Sequence, residues 1–239
     1  MINSEFFNTL SSNYDEMINF KNSLQNKIES LNKIIEPDYK TALDLGCGTG
    51  VDSIALSHLG LTVDAVDHSA EMINLAKQNS RKYNAQINFQ VSDLTEIKLS
   101  KKYDLIVSLG NTLANIRFDN VSKIISSAAQ SLNSSGKILI QIINFSNIPR
   151  DKEFILNTFE NDKVKIIRKY TFEKDEINFV IDITNENKSK SISTKMFPHS
   201  LSEFQSLAKQ NSININIYSN LQLEQFKDNS KDLVICFSK

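Results

Sequence analysis

The sequence predicts an α/β protein organised on a doubly wound parallel sheet, and three observations carry that reading. Short apolar runs alternate with helical periodicity from residue 41 to about residue 148. Three of the chain's six glycines, Gly46, Gly48 and Gly50, stand within five residues directly after the first of those runs. Beyond residue 148 the pattern changes to apolar and polar alternation with short polar connectors, which predicts a separate antiparallel group of three strands.

Each element follows from its own pattern. Leu24, Ile28, Leu31 and Ile35 share one face of a helix expected over residues 17–35, with Pro37 ending it. Thr41 to Leu45 reads as a buried strand, then a glycine turn, then a helix from Val51 to Leu59 closed by Gly60. Leu61 to Val66 is a second strand, and Ser69 caps a helix whose apolar positions are Met72, Ile73, Leu75 and Ala76. Strands follow at Ile87–Val91 and Tyr103–Leu109, a helix at Val121–Leu132, and a strand at Lys137–Ile143 after the turn at Gly136. The three antiparallel strands are expected at Val164–Phe172, Ile177–Thr184 and Ser191–Phe197. Ser200 and Glu203 have capping-box spacing for a helix through Leu207, and Ile213–Tyr218 and Leu233–Phe237 supply a final strand pair. The expected organisation is one domain over residues 1–239: a helical cap at 1–36, a core at 37–148, an antiparallel insertion at 160–198, and a C-terminal helix and strand pair at 199–239.

Composition narrows the function. In 239 residues, 27 Lys and Arg balance 28 Asp and Glu for a formal net charge of −1, so no global positive field exists to hold a polyanion. Nucleic acid and membrane surface are therefore disfavoured partners. The two cysteines, Cys47 and Cys236, lack metal-ligand spacing and any disulfide framework. No metal is expected. The first residues lack the basic region and apolar core of a signal peptide, and no apolar run approaches a membrane span, so a cytoplasmic location is expected.

The candidate site gathers at the carboxyl ends of the first strands. Glycines there let a ligand approach the backbone, and the helix that follows offers free N–H groups. A G-x-G-x-x-G dinucleotide fingerprint fails, because Val51 occupies its last glycine position. An NAD-dependent dehydrogenase is disfavoured accordingly. Asp44, just before the turn, can fix the loop or meet a cationic amino group. Asp67 stands 23 residues later at the end of the second strand, where a carboxylate can accept two hydrogen bonds from vicinal ribose hydroxyls, or cap the helix near Ser69. Asp93 and the N–H of Leu94 can face an adenine edge.

Taken in order, LDLGCGTG at 43–50, VDHSAEMINLAK at 66–77, FQVSDL at 89–94 and YDLIVSLGNTLANI at 103–116 resemble the successive motifs of the class I, Rossmann-like S-adenosylmethionine-dependent methyltransferases. The resemblance covers roughly residues 14–143. It implies a seven-stranded sheet with an antiparallel last strand, helices on both faces, and S-adenosylmethionine lying across the strand ends, with S-adenosylhomocysteine as product. By the same resemblance Gly46, Gly48 and Gly50 flank the cofactor, Asp44 lies near its methionine amine, Asp67 on ribose, and Asp93 with Leu94 at adenine. His68 and Met72 border the adenosine, and Cys47, Ser92 and Leu109 complete the surroundings. Tyr14 in SNYDEM resembles the family's early Tyr-Asp pair on a helix covering the cofactor, where its ring and hydroxyl would sit near the sulfonium; packing with Phe6, Phe7 and Leu10 is the alternative.

SLGNTLANI at 108–116, ILIQIINFSNI at 138–148 and MFPHSLSEF at 196–204 further resemble the glycine N-methyltransferase and glycine/sarcosine methyltransferase branch. That branch carries a His-Arg-Asn-Tyr run after the fifth strand, where this chain has Ile142, Ile143, Asn144 and Phe145. Loss of a guanidinium clamp counts against glycine itself as acceptor. Asn111, just past the fourth strand, is placed to orient an amine toward the methyl group, or to cap its loop. Methyl transfer by in-line displacement needs alignment and exclusion of water more than a base, and His199, Arg117 and Asp119 are not assigned as one. The expected function is an S-adenosylmethionine-dependent methyltransferase acting on a small molecule, first of all on an amine nitrogen. Oxygen or sulfur acceptors, protein or RNA substrates, and a non-catalytic cofactor-binding protein are the alternatives. The antiparallel strands are expected to form a lid or a contact in a homo-oligomer.

Overall fold

In the computed structural model the described residues are 6, 14, 15, 17–150, 153–162, 164–173, 176–185 and 188–239. They form two sheets. The larger has seven strands, β1 (Thr41–Leu45), β2 (Thr62–Asp67), β3 (Ile87–Val91), β4 (Tyr103–Ser108), β5 (Leu132–Ile143), β10 (Asn214–Tyr218) and β11 (Asp232–Ser238), in the spatial order β10-β11-β5-β4-β1-β2-β3. Strands β1 to β5 run parallel, and β11 is antiparallel to both of its neighbours. The expected last strand of opposite direction is therefore present.

Strand periodicity explains how helices cover both faces. Leu105 and Val107 of β4 point toward α1 (Phe20–Leu31) and α2 (Val51–His58), where Leu24, Leu31, Ile54 and Leu56 are buried with them. Ile106 points the other way, into a cluster with Val121, Ile124 and Ile125 of α4 (Phe118–Gln130) and Phe204 and Leu207 of α5 (Leu201–Gln210). Helix α3 (Ala70–Lys82) places Ile73 against Cys47 and Ala65. Burial on both faces is why Leu105, Ile106 and Val107 of β4 are consecutive apolar residues.

Helix ends follow local chemistry. Ser69 caps α3 by accepting from Met72 N at 3.1 Å, and Ser200 with Glu203 forms the expected capping box of α5. The first helix is shorter than its pattern. Asn19 sits at φ 50°, so α1 begins only at Phe20, and bonds from Lys33 N to Ser30 O and from Ile34 N to Leu31 O tighten and end it one turn before Pro37. Phe7 and Leu10, expected to pack beside Tyr14, lie outside the described residues.

The second sheet corrects the expectation of three strands, because it has four: β6 (Phe154–Glu160), β7 (Val164–Glu173), β8 (Glu176–Asn185) and β9 (Lys188–Met196), paired as an antiparallel meander. The additional strand β6 lies at an edge. Its register shifts between Ile155 and Asn157, which breaks the alternation a strand would show in sequence, and Ile155 is 54% exposed. Tyr170, Ile177 and Met196 anchor this sheet to Ala114, Phe145 and Ile148 of the core, and Phe197 N donates to Ala114 O at 2.7 Å. Phe6 and Met17 pack beside it against Ile166 and Ile181.

Candidate active site

The turn after β1 is pinned to the end of β2, since the N–H groups of Gly46 and Cys47 both donate to Val66 O, at 2.8 and 3.0 Å. Gly46 has φ +82°, and a Cβ there would lie 2.2 Å from Thr112 Cγ2. Both facts demand glycine. Gly46→Ala is expected to cost roughly 2–4 kcal/mol of stability, from left-handed strain plus overpacking, which denaturant unfolding would measure. Gly50 serves packing: it precedes α2 at φ +89°, and a Cβ would come within 3.2 Å of Ala76 Cβ on α3.

Asp67 ties two strand-to-helix turns together. Its Oδ2 accepts from Gly48 N and its Oδ1 from Ser69 N, each at 2.9 Å, while His68 Nδ1 lies 3.3 Å from Oδ1. Ser92 N in turn donates to the Asp67 carbonyl at 2.9 Å. Asp44 is 1% exposed and accepts from Ser53 Oγ at 2.6 Å. Burial first, then the neighbouring Asp52, pushes its carboxyl well above the ordinary range, against the pull of the Ser53 bond. Asp52 itself is paired with Lys27 of α1 at 2.7 Å. Asp93 is engaged locally, with Oδ1 accepting from Thr95 N and Oγ1 at 2.8 and 2.9 Å.

Beside Asp67 and the glycine turn a cavity opens at the carboxyl ends of β1, β2 and β4, where strand order reverses. Seven residues marked in the sequence line it: Tyr14, Gly46, Gly48, Asp67, His68, Met72 and Leu94. Gly110, Thr112 and Asn115 line it as well, although the sequence did not single them out. Asp44, Cys47, Gly50, Ser92, Asp93 and Leu109 are not in its wall. Cys47 and Leu109 are core residues, and burial raises the Cys47 thiol, which keeps it protonated.

A second cavity adjoins the first, sharing Tyr14, Gly110 and Asn115 with it, and Asn111 belongs here. Asn111 adopts φ 72°; its Oδ1 accepts from Ile143 N at 3.0 Å and its Nδ2 donates to Tyr170 OH at 3.3 Å. The expected amine-orienting carbonyl is thus already engaged by backbone, and the amide bridges the core to the second sheet. Leu156, Arg168, Tyr170, Phe179 and Met196 of that sheet close the far wall. Burial raises the Tyr14 and Tyr170 hydroxyls, so both phenols stay neutral. His199 lines neither cavity: it is buried, with Nε2 3.0 Å from Leu113 O and its ring against Phe118 and Phe204. Among the described residues no group of three or more His, Cys, Asp or Glu could hold a metal ion, and no helix is long and apolar enough to cross a membrane.

Residues 42–136 match the family model for the methyltransferase domain. A ribosomal protein L11 methyltransferase from Dictyoglomus thermophilum is 30% identical over 141 residues, which cover 59% of this chain and 43% of that protein. The chain thus spans about half the length of the curated relatives it matches. Among solved structures, an S-adenosylmethionine-dependent methyltransferase from Clostridium acetobutylicum superposes with TM-score 0.79 at 18% identity, covering 97% of this chain and 98% of that one. An S-adenosylmethionine-bound amino pentose methyltransferase from Micromonospora echinaspora gives 0.67 at 12% identity, covering 92% and 90%. Residues 42–136 thus match a methyltransferase domain, and the chain shares the Rossmann-like fold of solved S-adenosylmethionine-dependent methyltransferases. The glycine N-methyltransferase branch is not reached by any of these matches.

Proposed function

We propose that the protein transfers a methyl group from S-adenosylmethionine to a small-molecule acceptor carrying an amine nitrogen. The observation that carries this reading is the pair of confluent cavities meeting at Tyr14, Gly110 and Asn115, the second roofed by the four-stranded sheet. Such a roof favours a small acceptor over a macromolecular one. Bound there, S-adenosylmethionine supplies an electrophilic methyl carbon on a sulfonium whose sulfur keeps the bonding electron pair.

The residues present fit that group. Asp67 is fixed by two backbone N–H bonds at the strand end and takes the ribose hydroxyls, while Met72, His68 and Leu94 border the adenosine. Asp44, buried with its carboxyl raised, is relieved by an ammonium beside the turn. Gly46 and Gly48 give the backbone approach. The neutral hydroxyls of Tyr14 and Tyr170 and the amide of Asn111 line the second cavity among apolar side chains, so the chain contributes alignment and a dry path. The acceptor enters as a neutral amine and loses its proton to solvent after transfer. An amine acceptor also agrees with the amino pentose named for a neighbour of the same fold.

Incubation with methyl-labelled S-adenosylmethionine and a size-fractionated cell extract is expected to place label in the small-molecule fraction. Label in protein or RNA would overturn the acceptor class. In a melting experiment, S-adenosylhomocysteine at 100 times its dissociation constant should add about 2.7 kcal/mol, and NAD nothing.

A further inference from the structure

The second cavity holds a charge that the proposed function leaves unused. Of the twelve side chains and backbone segments lining it, most are apolar or aromatic, none is acidic, and Arg168 is the sole charged residue. Arg168 stands on β7 opposite Ile181 of β8 and Asn157 of β6, so no carboxylate faces it across the sheet. Its Nε is buried without a hydrogen-bond partner, and among the described residues no carboxylate pairs with its guanidinium. The next residue gives the contrast. Lys169 points to the other face of the same strand and is paired with both Glu153 at 3.0 Å and Asp182 at 2.9 Å. The sheet therefore neutralises its outward cation twice and its inward cation not at all.

A half-buried guanidinium with an unmet donor is costly unless something anionic completes it, and a planar five-donor fork is matched best by an oxyanion. Its field reaches Tyr14, which lines both cavities, and Tyr170, which lines the second. We infer that Arg168 binds an oxyanion, a carboxylate or phosphate monoester, on the methyl acceptor itself. The acceptor is then a small amphipathic anion. Its charged group sits on β7, its apolar part lies against Tyr170 and Phe179, and its nucleophilic atom reaches the junction at Asn115 and Gly110. This rests on the reading of the first cavity as the cofactor's.

Calorimetric titration of the full chain, first with S-adenosylhomocysteine and then, once saturated, with three probes, tests it. The probes are 3-phenylpropionate, phenyl phosphate and the neutral 3-phenylpropanol. At least one anion should bind ten-fold or more tightly than the alcohol, and the better of the two names the group. Arg168→Met should erase that preference and Arg168→Lys retain part of it, while S-adenosylhomocysteine affinity stays within about two-fold in both. Equal binding of anions and alcohol by the unaltered protein would overturn the inference without recourse to any variant. So would a preference that survives Arg168→Met, or a ten-fold loss of S-adenosylhomocysteine affinity, which would give Arg168 to the cofactor's own carboxylate. Failure of the first titration, before any probe is added, would instead strike the underlying cofactor reading.

Discussion

Asp67→Ala is expected to weaken S-adenosylhomocysteine binding by two to three orders of magnitude in calorimetric titration. Its carboxylate receives the N–H groups of Gly48 and Ser69, each at 2.9 Å, and so holds the glycine turn and the start of the next helix at a fixed separation. Hydrogen bonds to a charged acceptor contribute roughly 1.5–3 kcal/mol each. Alanine removes both, together with the two ribose contacts assigned to the same oxygens. Asp67→Asn should be nearly as damaging, because an amide presents one acceptor to two backbone donors and turns its NH₂ toward the other. Unchanged affinity in either variant would remove Asp67 from the ribose.

Asp44→Asn should act in opposite directions on the free protein and on the complex. Burial and the neighbouring Asp52 push the Asp44 carboxyl up to about 8, so the folded chain holds this proton more tightly than the unfolded chain does. A carboxyl raised in this way contributes stability that is full below the unfolded value near 4 and is lost as pH rises toward 8. Asparagine keeps the acceptor for Ser53 and has no charge to bury. At pH 8 the variant should therefore be more stable than the parent by on the order of 5 kcal/mol, with the gap closing as pH falls to about 4, as melts at the two values would show. Cofactor binding should move the other way. If the ligand's ammonium meets Asp44, binding ionises the carboxyl, releases a proton at pH 7 and strengthens as pH rises toward 8. Asp44→Asn should lose ten-fold or more in affinity and release no proton when titrated in buffers of different ionisation heat. Proton release that persists in the variant would assign the linkage elsewhere.

The core strands and the place of the cavity were legible because the chemistry is local: a buried strand, a turn that tolerates only glycine, a carboxylate at the next strand's end. Asp67, Gly46 and Gly48 are such residues. The wall contributed by Gly110, Thr112 and Asn115 was not, since those positions meet the glycine turn only when β4 lies beside β1. Thr112 is the clearest case. Its role is to occupy the space that a Cβ on Gly46 would need, a relation invisible at a distance of 66 residues along the chain. The edge strand β6 escaped for another reason, because its bulge scrambles the alternation that announces a strand. Arg168 reads in sequence as one more charge on an alternating strand; only the sheet's pairing separates it from Lys169.

The way the second sheet is fastened to the first divides the chain into independent territories. Apart from Tyr14, the wall of the first cavity comes from residues 46–115, whereas the outer wall of its neighbour comes from residues 156–196, joined to the core through an apolar cluster, the bond from Phe197 to Ala114 and the bond from Asn111 to Tyr170. Substitutions on the inward faces of β6 to β9 can therefore accumulate without touching the glycine turn or either acid. On the reading proposed here the donor half is a fixed jaw and the meander an exchangeable one, so that what is methylated can drift in evolution while what supplies the methyl stays constant.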